Sequence, residues 1–179
     1  MLNRVFIIIS VLMLFAIAIG CGCGAQKQQQ AKKYSDQELA DSLININKKQ
    51  VGDENMLINK YMARHQLTMT ETGTGLRYLI YEEGSGENAK IGQYAKVNYK
   101  VFLLDGTECY NSAKKGPKEF MIGQDNVESG LHEGITYMKV GDKAKFILPS
   151  HLAHGLLGDD NKIPARATVI YDVELLSLR

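Results

Sequence analysis

The alternation of apolar and polar residues after about residue 76 constrains the fold more than any other feature. The pattern has a period of two at residues 76–81, 95–103, 144–148 and 169–175, which is typical of β-strands with one buried face. One segment breaks it: Leu131, Ile135 and Met138 are spaced by four and three residues, as on one face of a short α-helix. Several antiparallel strands with one central helix predict an α+β domain.

The first twenty residues differ in character from the rest. Arg4 precedes a mostly apolar run, residues 5–19, which is shorter than the roughly 20 residues that span a bilayer and suits the core of a signal peptide. The run ends in Ala18-Ile19-Gly20-Cys21, which resembles the cleavage site of bacterial lipoproteins, where the cysteine is lipidated. We therefore predict a signal peptide at 1–20 and lipidation at Cys21. An uncleaved anchor or an ordinary secretory signal would also export the chain.

Between the signal peptide and the strands, the sequence predicts a tether followed by helices. Residues 21–34 are rich in Gln and Lys and predict a flexible tether. Ser35 and Glu38 form a capping box, and an amphipathic stripe follows. Gly52-Asp53 is expected to separate a first helix from a second one that ends near His65. This extension, residues 35–70, either stabilises the domain at 71–179 or serves as a dimerisation or docking arm.

The charge balance excludes one class of partner. Lys and Arg together number 21, and Asp and Glu number 20. A chain with so little net charge has no general basic field that would attract phosphates, so we expect no nucleic-acid partner.

A series of short motifs between residues 128 and 176 indicates a family. They are Gly130-Leu131-x-Glu133-Gly134, Met138-Lys139-Val140-Gly141-Asp142, Ala153-His154-Gly155, Ile163-Pro164 and Asp172-Val173-Glu174-Leu175. Their order resembles the FKBP-type peptidyl-prolyl cis-trans isomerases. The resemblance implies a bent antiparallel β-sheet wrapped around one short α-helix, with the helical extension before it. It also implies an apolar cleft that needs no cofactor or metal.

The same resemblance implies which residues form the cleft. Tyr99 falls at a wall tyrosine, Leu131 at the cleft floor, and Tyr171 in place of a phenylalanine. Val127 would offer its backbone to substrate, and Ile163 would close over proline from the last long loop. The implied catalytic residues are Tyr99, His154 and Tyr171. The implied substrate-binding residues are Cys109, Tyr110, Lys118, Val127, Glu128, Leu131 and Ile163.

Several of these positions depart from the family pattern. Lys118 stands where an aromatic is common, Glu128 replaces an aliphatic residue, and His154 replaces a tyrosine. After Asp105-Gly106 the family's aromatic would be Tyr110 if the strand carried a one-residue bulge, and otherwise Cys109. These changes predict a cleft with weaker apolar walls and low activity.

The sequence therefore predicts an FKBP-type isomerase that assists folding of proline-containing exported polypeptides. The alternative is a catalytically silent peptide-binding subunit of an envelope or motility assembly. The whole chain resembles small FKBP-type lipoproteins of Bacteroidetes-like bacteria, which implies a periplasm-facing, lipid-anchored protein. Gly22 after Cys21 lacks the aspartate that retains some lipoproteins in the inner membrane, which favours the outer membrane. A homodimer through the N-terminal helices is a further expectation.

Overall fold

The computed structural model describes residues 35–179, which begin at the helical extension. Helix α1 (Asp36–Arg64) starts with the predicted capping box. The Glu38 carboxylate accepts hydrogen bonds from the amide and the hydroxyl of Ser35, at 2.9 and 3.0 Å, and the Ser35 hydroxyl accepts one from the Glu38 amide at 3.2 Å. The predicted signal peptide, the lipidated Cys21 and the tether at 21–34 lie outside the described residues and stay predictions.

Helix α1 runs without a break through Gly52, so the predicted interruption at Gly52-Asp53 is wrong. Nothing lies within 4 Å of the position where a Cβ on Gly52 would be, so this residue faces open space. A glycine in a helix costs about 1 kcal/mol relative to alanine, which weakens a helix but does not end it. Tertiary packing of the later turns, where Ile58 is fully buried, keeps the helix continuous.

Residues 42–179 form one compact unit, which contains a seven-stranded antiparallel sheet. The strand order is β1-β2-β6-β7-β3-β4, and β5 pairs with the first half of β3. Two short helices, α2 (Ser112–Lys115) and α3 (Ser129–Ile135), and a 3₁₀ turn (Ser150–Leu152) complete the unit. The strands are β1 (Thr70–Glu71), β2 (Arg77–Glu82), β3 (Tyr94–Leu103), β4 (Glu108–Asn111), β5 (Lys118–Met121), β6 (Lys143–Leu148) and β7 (Val169–Leu178).

Helix α3 packs closely on one face of the sheet because two of its residues are glycines. A Cβ on Gly130 would lie 2.6 Å from Cγ of Leu148, and one on Gly134 would lie 2.9 Å from the ring of Phe146. Both contacts are shorter than packed atoms tolerate, so larger residues would push the helix away from β6. The approach buries Leu131 within the core between α3 and the sheet.

The other face of the sheet is covered by the second half of α1. Ile58 of the helix and the cross-strand pair Ile147 and Ile170 form a separate buried cluster there. The Glu54 carboxylate adds polar contacts: it accepts hydrogen bonds from the amide of Ser150 at 2.7 Å and from the hydroxyl of Thr168 at 2.6 Å. This half of the extension therefore stabilises the domain, which was one of the two predicted roles.

The predicted fold class is confirmed: an antiparallel sheet with one short core helix, preceded by a helical extension. Asp105-Gly106 forms the hairpin turn between β3 and β4, with Gly106 at a φ of 92° and the Leu103 amide donating to the Thr107 carbonyl at 3.0 Å. The exact domain boundaries stay predictions. Over residues 35–179, no helix combines the length and the apolar character that a membrane span requires.

Candidate active site

A cleft of about 290 Å³ opens between α3 and the strands β3, β4, β5 and β7. Its lining comes from seven separate parts of the chain, including the loop that follows the 3₁₀ turn. The lining residues are Val97, Tyr99, Val101, Tyr110, Lys115, Lys118, Glu128, Leu131, His154, Asp159 and Tyr171.

The inner surface of the cleft is aromatic and aliphatic. Tyr99 and Tyr171 lie on the neighbouring central strands β3 and β7, with ring centroids 6.5 Å apart and planes inclined by 40°. Val97 and Val101 share the face of β3 that carries Tyr99, because side chains two residues apart point the same way. Together with Leu131, these residues form the apolar inner surface of the cleft. Sequence reasoning named Tyr99 but missed the two valines, although their spacing from it was visible.

Strand β4 contains the one-residue bulge that would bring Tyr110 to the wall. Val101 pairs with Tyr110 and Phe102 pairs with Glu108, which leaves Cys109 as the extra residue. Tyr110 accordingly lines the cleft, whereas Cys109 is turned into the core and is only 2% exposed. The prediction that Cys109 contacts substrate is therefore corrected: the bulge directs its side chain away. Burial raises the pKa of its thiol.

Ile163 and Val127 support the cleft rather than line it. The Ile163 side chain is 3% exposed within the core. The Val127 amide donates to the carbonyl of Asp125 at 2.9 Å, so it is not available to substrate. The next amide along, that of Glu128, has no acceptor among residues 35–179. The backbone donor expected from Val127 is thus displaced by one residue.

Asp159, in the loop after His154, organises one wall of the cleft. Its carboxylate accepts a hydrogen bond from the Tyr110 hydroxyl and others from the amides of Asn161, Lys162 and Ile163, at 3.0, 2.9 and 2.7 Å. Burial alone would raise the pKa of Asp159, but these four donors outweigh it and lower the pKa to about 2. The loop after His154 is thereby attached to β4.

Glu128 and His154 place a titratable pair inside the cleft. His154 Nε2 lies 2.9 Å from Glu128 Oε1, and the two side chains are 24% and 11% exposed. The separation permits an ion pair when His154 is protonated, but the N–H does not point at the carboxylate. Within the described part of the chain, Glu128 Oε2 and His154 Nε2 are buried without a hydrogen-bond partner. Burial, followed by the nearby Glu128 carboxylate, raises the pKa of Tyr171.

The basic residues of the cleft lie at its rim. Lys118 and Lys115 are exposed, and neither has a carboxylate partner among residues 35–179. In the same range, no group of three or more His, Cys, Asp or Glu side chains is arranged to hold a metal ion. His151, which the sequence places near His154, bonds instead to the carbonyl of Thr74 at 2.9 Å.

Seven of the ten predicted site residues thus line one cleft: Tyr99, Tyr110, Lys118, Glu128, Leu131, His154 and Tyr171. A bent antiparallel sheet around a short helix, with an aromatic cleft between them, defines the FKBP class of domain. Residues 85–176 match the family described as FKBP-type peptidyl-prolyl cis-trans isomerase. The chain belongs to this family of enzymes, as its motifs predicted.

Among its relatives are isomerases named FkpA. The chain is 34% identical over 160 residues to FkpA of Aeromonas hydrophila, covering 82% of this chain and 59% of the relative. It is 40% identical over 109 residues to FkpA of Escherichia coli K12, covering 60% and 39%. The chain therefore spans less than two thirds of the length of these relatives.

Solved structures agree on the fold. The crystal structure of FkpA from Escherichia coli superposes with a TM-score of 0.60 and 33% identity, covering 82% of this chain and 74% of that one. The crystal structure of AtFKBP13 gives a TM-score of 0.59 and 26% identity, covering 63% of this chain and all of that one.

Proposed function

We propose that this protein accelerates the cis-trans isomerisation of Xaa-Pro bonds in polypeptides bound at its cleft. The convergence of Tyr99, Leu131 and Tyr171, from two strands and a helix, on the inner surface of one cleft carries the proposal. Such a cleft accepts a proline ring and has no need of a nucleophile, because the reaction is a bond rotation.

The chemistry follows from the electronic structure of the amide. Rotation crosses a barrier of roughly 20 kcal/mol, since the planar amide loses its resonance as it twists. The twisted amide is less polar than the planar one, so a dry aromatic cleft favours it over the ground state. Stabilising the twisted form more than the planar form lowers the barrier.

Two groups of the cleft can position the substrate carbonyl. The Glu128 amide lacks an acceptor among the described residues and lies at the start of α3. The His154 ring stands where the family carries a tyrosine hydroxyl and has a nitrogen without a hydrogen-bond partner in the same range. Either group can donate a hydrogen bond to the carbonyl of the residue before proline. We assign this positioning role to both.

The test is the cis-to-trans rate of proline peptides, with different residues before proline, in the presence of the purified protein. We expect acceleration over the uncatalysed rate and a loss of about tenfold or more in kcat/KM with Tyr99→Ala, because the wall aromatic is removed. Circular dichroism verifies that the variant is folded. A folded protein that accelerates no peptide would refute the proposal.

The second candidate function is a catalytically silent peptide-binding subunit of an envelope or motility assembly. The buried Glu128 carboxylate favours it, because a charge in the cleft opposes both an apolar ring and a twisted amide. This function predicts binding of proline peptides without acceleration. Measuring the affinity and the rate on the same peptides separates the two candidates.

We also propose that the protein is exported and anchored in the cell envelope through a lipid on Cys21, facing the periplasm, with the outer membrane favoured. The support is the sequence Ala18-Ile19-Gly20-Cys21 after an apolar run. Wild-type protein should partition into the detergent phase of a Triton X-114 extraction, and Cys21→Ser should move it to the aqueous phase. Equal partitioning of both would exclude the anchor.

The N-terminal helix is proposed as the dimerisation surface. Leu43, Ile46 and Leu57 of α1 are each about half exposed, at 52%, 50% and 52%. Exposed apolar residues on one helix are a common basis of association. Sedimentation velocity should give a dimer that Leu43→Glu dissociates. A monomer at all protein concentrations would reject the proposed dimer.

A further inference from the structure

Two lysines lie over the ring of Tyr110, which forms one wall of the cleft, and a third lysine lines the cleft. Lys115 Nζ lies 5.1 Å from the centroid of the Tyr110 ring, and Lys162 Nζ lies 5.6 Å from it. Lys118 lines the same cleft from β5. A cation held over an aromatic face gains about 0.5–1 kcal/mol at an exposed site, so the ring helps to keep Lys115 and Lys162 in place.

None of these three lysines has a carboxylate within ion-pair distance among residues 35–179. The neighbouring Lys114 differs, because it pairs with Glu108 at 3.1 Å. All three lysines are exposed. Lys115 and Lys118 therefore keep their capacity to bind an anion at the cleft, and Lys162 keeps it beside the Tyr110 ring.

Most acidic side chains near Tyr110 are hydrogen-bonded to other groups or lie deeper in the cleft. Asp159 is occupied by the Tyr110 hydroxyl and three backbone amides, which leaves its carboxylate little capacity for a further partner. Glu128 lies deeper, beside His154, with 11% of its side chain exposed. Glu108 is bound to Lys114 and Asn111, and Asp160 is exposed in the loop. The exposed charges around this wall are therefore three lysines and the Asp160 carboxylate, so positive charge is in excess.

We propose that the cleft prefers polypeptides with an acidic residue next to proline, whose carboxylate is received by Lys115, Lys118 and Lys162. This inference rests on the proposed function, the binding of proline-containing polypeptides, and specifies which of these polypeptides the cleft prefers. When a proline ring lies against the aromatic wall, the side chains of the peptide residues next to proline reach the lysines. Charge complementarity at a rim governs selection and association rate more than total affinity.

The preference is measured with matched peptides that carry Glu, Gln or Lys either directly before or directly after proline. Both kcat/KM and the dissociation constant, from fluorescence anisotropy, are determined with the full-length protein. At low salt we expect Glu peptides to exceed Lys peptides by about three- to tenfold in at least one series, as for a few exposed ion pairs. At 0.5 M NaCl the ratio should approach one, because screening shortens the range of the interaction.

The lysines are tested by combining Lys115→Gln, Lys118→Gln and Lys162→Gln. This variant should lose the preference for Glu peptides. A control that removes the same number of charges from exposed lysines outside the cleft, Lys48→Gln with Lys49→Gln and Lys96→Gln, should retain it. Equal loss in both variants would assign the effect to net charge and overturn the inference.

The experiment distinguishes failure of this inference from failure of the proposed isomerase. Acceleration without dependence on peptide charge overturns the preference alone. Binding that favours Glu peptides without acceleration supports the preference and rejects the isomerase. Neither binding nor acceleration for any peptide overturns both.

Discussion

Glu128 carries its carboxylate into the same cleft that Leu131 and Tyr171 make apolar. Oxygen Oε2 is buried without a partner in the described part of the chain. A buried carboxylate oxygen needs a hydrogen bond from water or from another donor. Either requirement disfavours the binding of an apolar proline ring beside it. Glu128 thus reduces the apolar character of the cleft, on which the proposed isomerisation depends.

Replacing Glu128 by isoleucine should therefore increase activity. We expect kcat/KM for a proline peptide with an uncharged neighbour to rise by about three- to tenfold, because one desolvation cost disappears. Glu87→Ile, at an exposed glutamate that does not line the cleft, is the control and should leave the rate unchanged. A decrease with Glu128→Ile would mean that the carboxylate assists catalysis.

The hydrogen bonds of Asp159 should make part of the stability depend on pH. Its pKa in the folded protein, about 2, is below the ordinary value, so the contribution is complete above about pH 4 and is lost as the pH falls toward 2. Asp159→Asn should lower the free energy of unfolding by about 1–2 kcal/mol at pH 7. Urea unfolding of both proteins between pH 7 and pH 2 should show the difference shrinking across that window. A difference independent of pH would argue against the ionised carboxylate.

The roles of Tyr110 and Asp159 mark where sequence reasoning reached its limit at this scale. The family resemblance implied Tyr99, Tyr171 and Leu131, and the strand and helix periods agree with inward-pointing side chains at these positions. The choice between Cys109 and Tyr110 depends on a bulge, and the contact of Asp159 depends on how a loop folds back on β4. Neither is encoded in a local period.

At the scale of elements, the position of α3 depends on its glycines. Gly134→Ala would place a methyl group 2.9 Å from the Phe146 ring. We expect a loss of about 1–3 kcal/mol in the free energy of unfolding from overpacking. Gly52→Ala is the matched control: it meets nothing within 4 Å and should stabilise α1 by about 0.5–1 kcal/mol. Chemical denaturation of both variants should show a lower free energy of unfolding for Gly134→Ala and a higher one for Gly52→Ala. Equal changes in the two variants would contradict the packing argument.

The second half of α1 is part of the folded unit, so truncating its buried residue should be costly. Ile58→Ala should destabilise the domain by about 2–4 kcal/mol through a cavity against Ile147 and Ile170. Met56→Ala removes a nearby side chain that is 47% exposed and should cost much less. The melting temperatures of the two variants, measured by thermal unfolding, give the comparison. Similar losses would show that α1 does not bury Ile58 against the sheet in solution.

Helix α1 also illustrates why element boundaries escaped prediction. The capping box at Ser35 fixed its beginning because that signal is local. Its continuation through Gly52 could not be read from local propensity, since the contacts of Ile58 with distant strands outweigh the cost of one glycine.

At the scale of the whole molecule, the two faces of the sheet share their strands. Ile147 and Ile170 face α1, while their neighbours Phe146 and Tyr171 face the core under α3. Neither cluster can open without disturbing β6 and β7. We expect Ile58→Ala to shift the transitions followed by far-UV circular dichroism and by tyrosine fluorescence to the same lower temperature. Separate transitions would mean that α1 detaches first.

The global architecture was the most predictable level, because many strand patterns and motifs agree on it and no single residue decides it. The family and fold class followed from that agreement. The helical extension was also predicted, although its contacts with the sheet were not, since they join residues far apart in the chain.

The strand order sets a condition on synthesis. Strand β7 is the last described strand to be made, yet it lies between β6 and β3 in the middle of the sheet. Until residues 169–178 leave the ribosome, β6 and β3 lack the strand that lies between them. The two halves of the sheet can therefore join only after these last strand residues have been made.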